Sequence, residues 1–253
     1  MTDFTLTKYT GLLDTLIEKG YSFQTFEQFV NAPKERVVVL RHDVDARANN
    51  SLDFARIQAE RGIVGTYYFR AIPQSWNETI VREMVSLGHE IGYHYECLTT
   101  CGGIMEQALK NFALNLEEFR KVCPITTICM HGSPMSKYDS RDLWKNTSYR
   151  DYGIIAEPYF DVDFDKVFYL TDTGRRWDGE KFSVRDKVKS EFNLQFRTTD
   201  EIIAACRNSA LPKQIMFTFH PQRWTNNRLL WIIEYISQRS KNLIKRAFFM
   251  GKR

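Results

Sequence analysis

The sequence predicts an α/β fold, a single-domain TIM-like barrel of parallel strands, on three observations. Strand patterns alternate with helix patterns along the whole chain, which is the signature of parallel strands joined by helical crossovers. Neither GxGxxG nor GxxxxGK[ST] occurs, so the phosphate-cradling loops that mark open nucleotide-binding sheets are missing. Histidines and aspartates recur where strands end, and in a barrel those ends converge on one face.

The elements follow from periodicity and punctuation. Tyr9, Leu12, Leu13, Leu16 and Ile17 share one helical face that stops at Gly20, and a short helix follows Thr25; residues 1–35 thus read as a leading helical cap. VVVLRHDVD (37–45) opens as a β-branched run suited to a strand buried on both faces. Helix 51–61 ends at Gly62 before GTYYFRA (65–71), and helix 77–87, capped by Asn77 and stopped by Gly88, precedes HEIGYHYE (89–96). Helix 103–121 carries Ile104, Ala108, Phe112, Leu116 and Phe119 at helical spacing and stops before Pro124, ahead of strand 125–132. Strands are expected at 153–159, 167–174 and 214–221, with helices at 199–209 and 225–247.

Composition narrows the function classes. The 253 residues, 43% hydrophobic and 26% charged, suit one globular domain with a large core. A net charge of +4, spread rather than blocked, argues against nucleic acid as a partner and favours a small-molecule substrate of mildly anionic character. Five cysteines without CxxC spacing read as free thiols, and the first residues lack the pattern of a secretory signal, so a cytoplasmic protein is the expectation.

Asp43 and Asp45 end the first barrel strand, His94 the third and His131 the fourth, while Asp172 and His220 end later ones. Taken singly, such residues often cap helices or bind turn amides; together they would share one mouth. Carboxylate and imidazole ligands suit Zn²⁺ or a similar divalent ion, leaving a second carboxylate to remove a proton and a histidine to protonate a leaving amine. Arg41 and Arg70, near the same mouth, and the run Asp172, Arg175, Arg176 and Trp177 are candidates for gripping an anionic sugar, with internal ion pairs or a solvated turn as the alternative. By strand alternation His42 points away from Asp43 and is packed, and His89 lies at the other end of its strand.

RHDVD (41–45), GHEIGYH (88–94), MHGSP (130–134), TDTGRRWD (171–178) and TFHP (218–221) occur in the order and strand placement of the polysaccharide deacetylase, or NodB-like, superfamily (carbohydrate esterase family four), which residues 36–225 resemble. The resemblance implies a distorted (β/α)7 barrel that hydrolyses an acylamino group on a sugar, with Asp43 as general base, Asp45 and His94 as metal ligands and His220 as general acid. It implies Asp172 as an orienter of the base or acid. The family's usual second metal histidine, four residues after the first, is Leu98 here. His131 is the first choice to replace it, then Glu96, then Cys97.

The expected function is metal-dependent N-deacylation of an acylamino sugar, for which a nucleotide- or lipid-linked precursor of surface polysaccharide is one substrate form. Hydrolysis of another C–N bond, and non-catalytic sugar binding on a degraded barrel, stay open. The carboxyl-terminal stretch joins Leu229, Leu230, Ile232, Ile233, Ile236, Leu243 and Phe248 to Arg239, Lys241, Lys245, Arg246, Lys252 and Arg253. It reads either as a helix on an anionic membrane surface or as the last barrel helix with a solvated tail.

Overall fold

A computed structural model describes residues 2–178, 185 and 187–250 of the chain. Its elements run α1 (Leu6–Glu18), β1 (Ser22–Gln24), α2 (Phe26–Asn31), β2 (Val37–Val44), α3 (Ala48–Ala59), β3 (Thr66–Phe69), α4 (Glu78–Ser86), β4 (Glu90–Tyr95), α5 (Cys97–Thr100), α6 (Met105–Arg120), β5 (Ile128–Met130), α7 (Pro158–Asp161), β6 (Phe168–Thr171), α8 (Thr199–Arg207), β7 (Gln214–Phe219) and α9 (Arg228–Met250). All pairings are parallel, in the order β5-β4-β3-β2-β7-β6, and β1 joins the amino-terminal end of β2 beside β3. The result is a distorted α/β barrel. Beyond β5 only the bridge from Thr127 to Ala156 carries the sheet on, and no described ladder joins that segment to β6.

The strand expected at 153–159 therefore reduces to one bridge. Glu157, itself still extended, caps α7 and Pro158 occupies its first turn, so the chain enters a helix two residues after Ala156 and the pairing stops there. The three-residue β1 carries too short a pattern for periodicity to detect.

Alternation along β2 divides the core. Val37 and Val39 point into the barrel with Tyr68, Cys129, Ala156 and Met216, whereas Val38, Leu40 and Val44 face the helices. Arg41 and Asp43 continue the inward set, so β2 delivers them to the carboxyl end of the barrel. On β4, Gly92 passes so close to Tyr68 that a Cβ there would overlap the ring, which is why the strand needs a glycine at that place.

His42 faces outward as expected and stacks on Tyr67, ring centroids 4.1 Å apart. Its Nδ1 donates to the Thr66 carbonyl at 3.0 Å and its Nε2 accepts from the Gln58 amide at 2.9 Å. A second proton would confront that amide donor, and burial holds the pKa down to about 3. A histidine kept neutral by the fold contributes stability that is complete above the unfolded value near 6.5 and is lost as pH falls through the window toward 3. Urea unfolding of the metal-free protein is expected to weaken by about 2 kcal/mol through His42 between roughly pH 6.5 and 5. Ring ¹⁵N shifts showing His42 protonated in the folded state at pH 5 would refute the assignment.

Candidate metal centre

Asp45 follows β2, His94 is the penultimate residue of β4 and His131 follows β5. The parallel register that sets His94 against Cys129 carries these strand ends to one point. Asp45 Oδ1 lies 3.7 Å from His94 Nε2 and 3.4 Å from His131 Nε2. Four ligands at about 2.0 Å around a tetrahedral ion sit about 3.3 Å apart, so these three atoms nearly span one face of such a polyhedron.

The donor chemistry fits a cation. Asp45 Oδ2 accepts from Gln222 Nε2 at 3.0 Å, but its buried Oδ1 has no hydrogen-bond partner. An orphaned carboxylate oxygen directed at two imidazoles suits a cation shared among them, or a proton on one of the rings. His94 Nδ1 donates to the Cys129 carbonyl at 2.9 Å, leaving Nε2 with its lone pair toward Asp45. Burial lowers the His94 pKa to about 4, so the ring is neutral at pH 7. His131 Nδ1 donates to Glu96 Oε2 at 2.8 Å, the carboxylate–histidine arrangement that orients metal-binding imidazoles. Burial pulls His131 downward, but the Glu96 hydrogen bond and the Asp45 charge outweigh it and raise its pKa. Protons would therefore compete with the ion at acid pH.

Of the alternatives for a third ligand, Glu96 has both oxygens engaged, Oε2 by His131 and Oε1 by Arg70. Cys97 is buried beside Tyr93, and burial pushes its thiol up to about 12. Leu98 is in the core. A second cluster, Asp43, His94 and Cys129, is also compact, but both Asp43 oxygens are taken by Arg41.

Asp43 lies 3.9 Å from His94 Nε2, next to the three ligand atoms. Arg41 grips it bidentately, Nε to Oδ1 at 2.9 Å and the terminal nitrogen to Oδ2 at 2.7 Å. Burial would raise its pKa, yet Arg41 and His94 together hold the carboxyl far below the usual range. Asp43 is thus a carboxylate at neutral pH, and the guanidinium that keeps it ionised also lowers its affinity for a proton. His220 follows β7, and its Nδ1 is bound to Asp172 Oδ1 at 2.5 Å. Asp172 is fully buried and also accepts from the His220 backbone, Trp224 Nε1 and Arg223. It fixes the His220 ring with Nε2 as the nitrogen left for chemistry.

Six residues weighed for substrate binding are placed otherwise, Arg175 being buried with its guanidinium over the Trp231 ring, 4.5 Å from the centroid. Arg41 is 0% exposed and committed to Asp43. Arg70 pairs with Glu96 at 2.6 Å and donates to the Asp45 carbonyl, bracing the candidate ligands. Asp172 positions His220. Arg176 pairs with its neighbour Asp178 on the side of the fold facing α9, and Trp177 is buried with Phe217, Phe219 and Trp224, donating to Thr199. Gln222, Trp224, Arg223 and Tyr159, whose hydroxyl meets Arg41, were not anticipated; they lie outside the strands, where no period marks them.

No family model matches the chain and no curated protein does. Solved structures do. A Streptococcus mutans CE4 esterase superposes with a TM-score of 0.46 at 14% identity, over 92% of this chain and 90% of that one. A family 4 carbohydrate esterase from Streptomyces lividans, in complex with acetate, gives 0.43 at 15% identity, over 82% and 90%. A CE4 family pseudoenzyme from Bacillus anthracis gives 0.44 at 10% identity, over 83% and 62%. These three structures are described as two family 4 carbohydrate esterases and one pseudoenzyme of that family.

Proposed function

We propose that the chain is a metal-dependent amidohydrolase that removes the acyl group from an acylamino sugar. The observation that carries this reading is the orphaned Asp45 Oδ1 facing two imidazole nitrogens, with the ionised Asp43 on one side and the oriented His220 completing the strand-end set.

Asp45, His94 and His131 would hold the ion, which supplies Lewis acidity toward the amide carbonyl and acidifies a water. Asp43 takes the proton of the attacking water, its charge kept available by Arg41. His220 gives a proton to the departing amine, and Asp172 compensates the positive charge while that proton is on the ring. Arg70 and Glu96 keep His131 in place. An amide, with its poor amine leaving group, is the bond that needs both a base and an acid.

Zn²⁺-loaded protein is expected to release acetate or formate from acylamino sugars, and Asp43→Asn to lower turnover about a thousandfold with the ion retained. Assays on free, nucleotide-linked and lipid-linked sugars separate the substrate forms. No acyl release from any of them at saturating metal would sink the reading; cleavage of a non-sugar amide would move it to another C–N bond. Tight sugar binding indifferent to chelator and to Asp43→Asn would mark a non-catalytic protein.

A further inference from the structure

The face that α9 turns to the barrel is polar, and the face it turns to solvent is apolar. Glu234 and Gln238 are buried, Trp231 Nε1 donates to the Asp3 carbonyl at 2.8 Å, and Asn242 donates to the Gly174 carbonyl at 3.0 Å. Leu229, Ile232, Ile233, Ile236 and Leu243 are exposed by 40% to 67%. At 100° per residue these five fall in one stripe along the helix. More than half of the exposed large apolar side chains among the described residues sit on α9. A helix packed through its polar side and left with a continuous apolar stripe in water is the reverse of a solvated terminal helix.

Charge selects the occupant. Arg239 flanks the stripe, and from Arg239 to Arg253 the sequence holds six Lys or Arg and no Asp or Glu, although Lys252 and Arg253 and the side chains of Lys245, Arg246 and Phe248 lie outside the described residues. Arg197 shares a cavity of about 490 Å³ with Arg239 along the edge of α9, adding to the basic border. A second copy of the chain would bring the same positive border against itself, whereas an anionic bilayer offers acyl chains for the stripe and headgroup charge for the arginines. No described helix is long and apolar enough to cross a membrane, so the geometry is one of lying in the interface.

We propose that α9 docks the protein on an anionic lipid surface, with the stripe Leu229, Ile232, Ile233, Ile236 and Leu243 in the acyl boundary and Arg239 at the headgroups. This inference is independent of the reaction at the barrel mouth, because it is read without substrate or metal.

The test is co-sedimentation of the full chain with phosphatidylcholine vesicles and with mixed phosphatidylcholine and phosphatidylglycerol vesicles. Partitioning is expected to be at least about tenfold stronger on the mixed vesicles and to weaken as salt is raised. Ile233→Glu with Ile236→Glu should abolish it, and Arg239→Glu with Lys241→Glu should lower it about tenfold or more, since each basic residue near such a surface is worth about a fivefold factor. Circular dichroism checks folding; should the double glutamate variant fail to fold, Leu229→Ser with Leu243→Ser probes the same stripe. Absence of partitioning, or equal partitioning on neutral and anionic vesicles, overturns the proposal. A dimer in light scattering that Ile236→Glu disperses, without lipid binding, overturns it in favour of a second copy.

Discussion

Asp45→Ala is expected to leave the protein folded and unable to retain a divalent ion. Asp45 lies just beyond β2 with its side chain 24% exposed, and among the described residues that side chain's one hydrogen bond is to Gln222, so truncation removes little packing. What it removes is the anionic ligand of the trio. Two imidazoles alone form an incomplete site for Zn²⁺, which takes three protein ligands where it is catalytic. Elemental analysis after dialysis against limiting Zn²⁺ should show one ion in the wild type and none in Asp45→Ala, His94→Ala or His131→Ala. Glu96→Gln should keep the ion with affinity about 10- to 100-fold weaker, because Glu96 orients His131 without filling a coordination position. The metal-dependent rise in Tm should disappear in the same three variants, since a ligand stabilises only the state that binds it. Full occupancy in Asp45→Ala would remove Asp45 from the ligand set. An empty wild type under excess metal would remove the hydrolytic mechanism altogether.

The strand-end residues were legible because two rules compound. Period-2 alternation assigns each residue of a strand to one face, and parallel strands bring all carboxyl ends to one side. Those rules locate Asp43, Asp45, His94, His131 and His220 together and turn His42 away. They do not say what a polar side chain at the mouth is bound to. An arginine at a strand end has the same pattern whether it meets a ligand or a nearby carboxylate, which is why substrate contact and internal ion pair both stay open in the sequence for Arg41 and Arg70. Ile154, Ile155 and Ala156 look like a strand because apolar runs do, and only Pro158 records that the chain turns. Gln222 is silent in sequence because it lies in the single 3₁₀ turn Pro221–Arg223, too short to carry a period. For α9 the amphipathic pattern reveals two faces but not which of them is packed, and here the polar one is.

Arg41→Met is expected to cost about 3 to 5 kcal/mol, the largest single loss of stability available near the site, because it strands a buried carboxylate. Both residues are nearly inaccessible, with side chains 1% and 3% exposed, so water cannot replace the two lost hydrogen bonds without local opening. The pH dependence distinguishes this cause from lost packing. In the wild type the Asp43 pKa lies below its unfolded value near 3.9, so its contribution is complete above that value and lost as pH falls. Without Arg41, burial is left as the dominant influence and the folded pKa rises above the unfolded one. The sign then inverts: Asp43 is tolerated when protonated, and its contribution is lost as pH climbs through the new, higher folded value. Denaturant unfolding of Arg41→Met should therefore show a deficit against wild type that widens from about pH 4 to pH 7. Arg41→Met with Asp43→Asn should recover part of the loss, since a neutral amide leaves no buried charge to compensate. A deficit independent of pH and unrelieved by Asp43→Asn would mean that Arg41 matters for its volume and its contact with Tyr159, and that Asp43 is held ionised by something other than the guanidinium fork.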